Sequence, residues 1–215
     1  KILLSQVAIV PIIVLLRLKF QKFVQKTAKN EKNGKKIAES AYFGTQYLIL
    51  TILAVNIVVK QKLLSSHAIY QDMLNPTATT AQTAYMMLEL GIYIAGSIFF
   101  CFETRVKNAD FAIMIVHHAV TITLLVMGWT IKLFNYSIII AALHDVSDVI
   151  LEYSKVFYYS NWKRTSNVIF TAFAAVFIST RLYYFPKYII VPWYNGQFKE
   201  YLGFWPFTKA QQTSI

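Results

Sequence analysis

The chain has 215 residues, of which 56% are hydrophobic and 14% charged, against roughly 25% charged in an average soluble domain. That balance excludes a disordered chain and argues against a soluble one. The net charge of +11 is poor support for nucleic-acid binding, because much of the excess lies in one stretch, Arg17 to Lys36, beside an apolar segment; a basic juxtamembrane loop is the ordinary meaning there.

The apolar residues come in blocks of about 20, the length a helix needs to cross hydrocarbon at ~1.5 Å per residue. None shows the strict alternation of a barrel strand. The first block runs from Ile2 to about Phe20. Pro11 lies inside it, which membrane helices tolerate, and Arg17 and Lys19 at its end are placed to snorkel to the interface. A basic linker follows, Gln21 to Lys36. The second segment is Ser40 to Val59; Lys60, Lys62 and a polar stretch containing Asn75-Pro76 lead to about Thr83. The third runs from Ala84 to about Glu103, the fourth from Asp110 to about Trp129, the fifth from Leu133 to about Tyr153, and the sixth from Thr165 to about Phe185. Beyond Pro186, Tyr188, Trp193, Tyr194, Phe198, Tyr201, Phe204 and Trp205 alternate with Pro192, Gly196, Lys199 and Pro206. Tyr and Trp favour the headgroup level, so this tail is expected to be interfacial and partly helical. Since the chain opens on Lys1, it is expected to be a fragment or an ordered core.

Lys and Arg set the orientation. The linker after segment one, the loop with Arg105 and Lys107, and the loop with Lys155, Lys163 and Arg164 all fall on one side of alternating spans. That side is assigned to the cytosol.

Ionisable residues inside spans are costly and mark functional sites by default. Segment four holds His117-His118, segment five holds His144, Asp145, Ser147, Asp148 and Glu152, segment six holds Arg181, and segment three holds Glu89. His144, Asp148 and Glu152 are four residues apart in turn and share a helix face, with Asp145 on the neighbouring edge. A short link joins segments four and five, which predicts antiparallel neighbours. From Asp110, His117 lies roughly 10 Å along its helix, and His144 about 16 Å from the start of its own. The two sets then meet near mid-depth in a slab of about 30 Å.

A neutral imidazole is a base, a nucleophile or a metal ligand, and an aspartate can orient it and stabilise its charged form. Acyl transfer fits such a set. The bland alternative is a group of buried polar residues tying helices together. A di-iron centre needs more histidines than His67, His117, His118 and His144 supply; a single zinc held by His and carboxylates stays open. The single cysteine, Cys101, excludes a disulfide and a Cys-based metal site. Arg181 either pairs with an intramembrane carboxylate or snorkels. Glu89 is either a packing partner or a substrate contact. Arg105, Lys107, Lys163 and Arg164 are topology charges that also stand where a phosphate-rich donor would approach. Asn135-Tyr136-Ser137 matches a glycosylation acceptor at a span end.

The stretch from Tyr85 to Pro186 resembles the TLC-domain family and, within it, the ceramide synthases. The resemblance rests on Leu88-Glu89-Leu90, on Asp110-Phe111 leading into His117-His118 and Thr121, on the run from Leu143 through His144-Asp145 and Ser147-Asp148 to Leu151-Glu152, and on Thr180-Arg181-Leu182 before Phe185-Pro186. It implies an all-α, polytopic membrane bundle of about six to seven transmembrane helices enclosing an acyl tunnel. Residues 1–36 would be a first helix with a basic cytosolic linker, and residues 37–215 a TLC-type catalytic domain. The implied activity is transfer of a fatty acyl group from acyl-CoA to the amine of a sphingoid base in the endoplasmic reticulum membrane. His117, His118, Asp145 and Asp148 match the family's active-site positions, with His144 alongside; Arg105, Lys107, Lys163, Arg164, Arg181 and Glu89 are the substrate-binding candidates. No cofactor beyond the co-substrate acyl-CoA is implied. Acyl-CoA, a sphingoid base and membrane lipids are the expected partners, with an oligomer of like or unlike subunits, including a small regulatory membrane subunit, and no nucleic acid. The rival reading is a non-enzymatic lipid-binding or lipid-transport protein of the same fold. Family members carry a further span after the Phe-Pro region, and no clean one is visible before Ile215, so acyl-length selectivity is not carried over.

Overall fold

A computed structural model describes residues 2–28, 33–64, 69, 77–103 and 111–195. Among them the chain forms six long helices: α1 (Ile2–Thr27), α2 (Gly34–Lys60), α3 (Thr80–Phe99), α4 (Phe111–Thr130), α5 (Phe134–Tyr159) and α6 (Lys163–Tyr194). A 3-10 turn, Phe100–Phe102, follows α3. Four of the six, α2, α4, α5 and α6, are long and apolar enough to cross a membrane by length and composition. Helix α3 has a different environment. Ten of its 20 residues are buried, Gln82 and Glu89 among them, so its polar groups are shielded by neighbouring helices. Thr79 begins it with a reciprocal cap, its hydroxyl accepting from the Gln82 N–H while the Gln82 side chain accepts from Thr79; this satisfies two otherwise orphaned donors. The result is an all-α helical membrane bundle.

Helix α5 is the hub. It packs along α2 on one side and α6 on another, and also touches α3 and α4. Gly44 lets α2 and α5 close up, since a Cβ there would lie 3.3–3.4 Å from Tyr153 and Glu152. The Asn33 side chain donates to the Tyr159 carbonyl at 3.2 Å, joining the start of α2 to the end of α5. The core between the helices holds Leu50, Ala54, Tyr85, Met86, Ile138 and Ile139. Helices α4 and α5 form a hairpin through a turn in which Lys132 takes a positive φ of 61°. Their contact is close at Gly128, where a Cβ would collide with the Ser137 hydroxyl. The predicted antiparallel pairing of these two segments is therefore present.

Three expectations need correcting. Arg17 does not snorkel. It is 2% exposed, donates to Glu103 at 2.5 Å, and its guanidinium lies 4.2–5.2 Å from the ring centroids of Tyr42, Phe43 and Phe99. A buried charge needs a partner, and Glu103 at the end of the α3 turn is within its reach, so Arg17 fastens α1 to the bundle. The basic linker is also shorter than expected, because α1 continues to Thr27 and α2 begins at Gly34. Finally, the last span does not stop at Pro186. The helix runs on to Tyr194 by widening to π winding over Ile178–Tyr184 and Pro186–Ile190. An inserted residue in the turn lets a proline ring clear the preceding carbonyl and omits the bond its nitrogen cannot donate. The described part of the expected interfacial tail, residues 186–195, is thus mostly a continuation of a 32-residue helix, while Phe198 to Trp205 lie outside the described residues.

Candidate active site

The antiparallel α4 and α5, with α3 behind them and α6 alongside, line a partly open cavity of about 560 Å³. That volume is in the range of ligand pockets. Along α4 its lining runs from His117 to Ile131, about 21 Å of helix. The wall is apolar for most of that length, with Val120, Leu124, Leu125 and Met127 facing Ile140 and Ala141. The imidazoles and the charged side chains gather at one end. Because α4 and α5 are antiparallel, His117 near the start of α4 meets His144 and Asp145 in the middle of α5. Glu89 and Tyr93 reach the same end from α3, and Arg181 reaches it from α6.

One hydrogen bond fixes which tautomer His144 takes in its neutral form. His144 Nδ1 lies 2.7 Å from the Ile140 carbonyl. A carbonyl only accepts, so Nδ1 carries the hydrogen and Nε2 is the basic nitrogen. The His144 ring is braced by Phe185 at 5.2 Å. His117 lines the cavity and touches Tyr93 edge-on at 6.1 Å; its charge interacts with Asp148 and Arg181, and with His144.

The structure separates residues that adjoin in sequence. His118 is buried outside the cavity lining, packed between Tyr93 at 5.1 Å and Phe100 at 4.5 Å and against Gly96. Its Nδ1 bonds to the Met114 carbonyl at 3.1 Å. Successive residues on a helix point about 100° apart, and here that turn carries His118 off the cavity and onto Tyr93, Phe100 and Gly96. Asp145 lines the cavity and is 1% exposed. Asp148 lies outside the lining and accepts from Arg181 Nη2 at 2.7 Å. Arg181 thus pairs with a carboxylate, one of the two roles read for it. Glu152 is buried and bonds Lys155 at 2.9 Å, away from the cavity. Glu89 lines the cavity and is 1% exposed. Lys163 and Arg164 are exposed at the start of α6 and do not line the cavity. Arg105 and Lys107 lie outside the described residues. Asn135 is not a glycosylation acceptor in this fold, since it is buried and accepts from Gln82 at 2.5 Å; the span end that carries it packs against α3. Among the described residues no group of three or more His, Cys, Asp or Glu is placed to hold a metal ion.

Tyr93 and Trp193 also line the cavity and were not singled out from the sequence. Trp193 packs on Tyr136 at 5.9 Å, at the apolar end. Aromatic residues are common throughout this chain, so only their placement on cavity-facing positions distinguishes these two.

Fold and site together define a multi-pass membrane protein built around a mostly apolar cavity, open along one side, with an ionisable end. Residues 36–209 match the TLC domain, and the chain belongs to that family. Among its relatives, ceramide synthase 3 of Mus musculus is 31% identical over 156 residues, covering 72% of this chain and 40% of that protein. Ceramide synthase LOH2 of Arabidopsis thaliana is 42% identical over 107 residues, covering 49% and 36%. Ceramide synthase 5 of Homo sapiens is 39% identical over 106 residues, covering 49% and 26%. The chain spans less than half the length of each of these three curated relatives.

Proposed function

We propose that the protein is a ceramide synthase, which transfers a fatty acyl group from acyl-CoA to the amine of a sphingoid base and releases CoA. The observation that carries this reading is the cavity: an apolar channel long enough for a lipid chain ends on two imidazoles and two carboxylates. Its relatives bear the name of this activity. A protein that only bound lipid would have no need of two buried carboxylates beside two imidazoles at the end of its cavity, and in an apolar medium such groups are costly to keep.

In this reading His117 and His144 supply the acid–base and nucleophilic chemistry. The thioester carbonyl is attacked either by the amine, with an imidazole taking its proton, or by His117 itself. The second route forms an acyl-imidazole, expels CoA and then passes the acyl group to the amine. Separate entry of a cytosolic thioester and a membrane-borne base favours two steps. His118 holds Tyr93 and the start of α4 in place, and Asp148 with Arg181 fixes α6 against α5. The acyl chain lies along the apolar wall. The protein resides in the endoplasmic reticulum membrane, works with acyl-CoA as co-substrate and without a further cofactor, and assembles with like subunits or a small membrane subunit.

The test is purified protein incubated with acyl-CoA and sphinganine. Formation of the N-acyl product with equimolar CoA supports the reading. Binding of both lipids without any amide or CoA release favours a lipid-binding protein of the same fold.

A further inference from the structure

We propose that Glu89 on α3 and Asp145 on α5 form the subsite that takes the amine of the lipid substrate as a primary ammonium group. The proposal rests on the reading above and deepens it, by assigning recognition of the amine to a pair of carboxylates on different helices. Both residues line the polar end of the cavity, and both are 1% exposed. As like charges the two carboxylates repel each other, a repulsion that a cation between them relieves. Among the described residues Glu89 Oε2 and Asp145 Oδ2 are buried with no hydrogen-bond partner. A buried carboxylate oxygen left without a donor costs free energy, and two such groups facing one cavity cost more.

The cation nearest to hand acts on Asp145 through its charge but donates a hydrogen bond to neither carboxylate. Arg181 donates through Nη2 to Asp148 and to the His144 carbonyl. A ligand is therefore the natural donor. Of the head groups a single-chain lipid can carry, a primary ammonium suits the pair best. It brings a positive charge to two carboxylates and three N–H donors to the two unpartnered oxygens, beside which the Tyr85 hydroxyl serves Glu89 alone. A hydroxyl brings one donor and no charge. The hydrocarbon tail then follows the apolar wall away from the polar end. The arrangement also separates substrate from product: once the nitrogen is acylated it is a neutral amide, and the attraction that held it is gone.

The experiment uses the full chain in detergent, with octadecylamine and octadecanol as probes and thermal stability as readout. The wild type is expected to be stabilised by the amine at concentrations where the alcohol has little effect. Glu89→Gln keeps the shape and removes the charge. It is expected to raise the amine concentration for half-maximal stabilisation by about tenfold or more, the loss of one charge-assisted hydrogen bond. In turnover, the KM for sphinganine should rise while that for acyl-CoA does not. Equal stabilisation of the wild type by amine and alcohol overturns the proposal without any variant being needed. Unchanged amine affinity in a folded Glu89→Gln or Asp145→Asn protein overturns it too. The two readings also fail separately. Amine-selective stabilisation without amide synthesis sinks the synthase reading and leaves the subsite standing. Amide synthesis by a protein with no preference for the amine sinks the subsite alone.

Discussion

Arg181 on α6 donates to Asp148 on α5 at 2.7 Å, and the same guanidinium nitrogen donates to the His144 carbonyl at 3.0 Å. One side chain thereby links the π-wound part of α6 to the helix that carries His144 and Asp145. The pair is about one-fifth exposed on each side, so it is neither a surface ion pair nor a fully desolvated one. Arg181 makes it from within the π-wound stretch Ile178–Tyr184 of α6.

A double-mutant cycle should therefore register this pair. Arg181→Ala and Asp148→Asn, alone and together, are expected to show a coupling of about 0.5–3 kcal/mol in thermal or denaturant stability. Arg181→Lys should recover only part of it, because the shorter, more strongly hydrated lysine ammonium does not reach the position from which Nη2 serves both acceptors. Strictly additive effects would mean that the contact contributes nothing to holding α6 on α5.

The two adjacent histidines should separate by phenotype. His117 lines the cavity, whereas His118 fills the space between Tyr93, Phe100 and Gly96. His117→Ala is expected to lower turnover by about 10²-fold or more while leaving folded yield close to wild type. His118→Ala is expected to lose activity together with stability, since it empties a packed site. Measuring amide formation per folded molecule, with the melting temperature alongside, distinguishes them. Full specific activity in His117→Ala would remove it from the chemistry.

Much of this was legible in the sequence. The six segments match the helices to within a few residues at most ends, because length and hydropathy are what a bilayer demands. His117, His144, Asp145, Glu89 and Arg181 stood out because an ionisable side chain inside an apolar run has few structural excuses. What could not be read depends on how helices cross. The sequence offers His117 and His118 equally, and only the contact of α4 with α3 turns one to the cavity and the other into packing. Arg17 looks like an interfacial residue until Glu103, 86 positions away, is seen beside it. Pro186 and Pro192 read as a helix end because sequence rules assume unbroken α winding; Pro186 opens a π-wound segment, and Pro192 stands in the first turn of the α segment that follows it. The burial of Asn135 depends on its meeting Gln82 of α3, which no local pattern announces.

The exposed cations at the start of α6 invite a test of donor entry. Lys163 and Arg164 occupy the first turn, where the helix dipole disfavours positive charge. Helix stability is therefore not what they serve, which leaves topology or contact with an anion. If they meet CoA phosphates together with Arg105 and Lys107, replacing all four by Gln should raise the KM for acyl-CoA more than it lowers kcat, and should flatten the dependence of that KM on salt. Unchanged acyl-CoA kinetics at low and high salt would leave them as topology signals.

The sharpest test concerns whether the acyl group rests on the protein. His117 stands seven residues into α4, roughly 10 Å from its start, a depth that the pantetheine arm of a cytosolic thioester can reach while a sphingoid base arrives from the lipid. Attack by the imidazole on the thioester carbonyl forms a C–N bond, breaks the C–S bond and releases CoA before any amine is present. Acyl-CoA alone should then add the mass of one acyl group to the intact protein, with one CoA released per adduct. The adduct should be missing in His117→Ala and should discharge to amide when sphinganine is added. It should survive in Glu89→Gln, where only the second half of the reaction is slowed. No adduct and no CoA release without sphinganine would instead mean that the amine attacks the thioester directly, with His117 or His144 taking its proton.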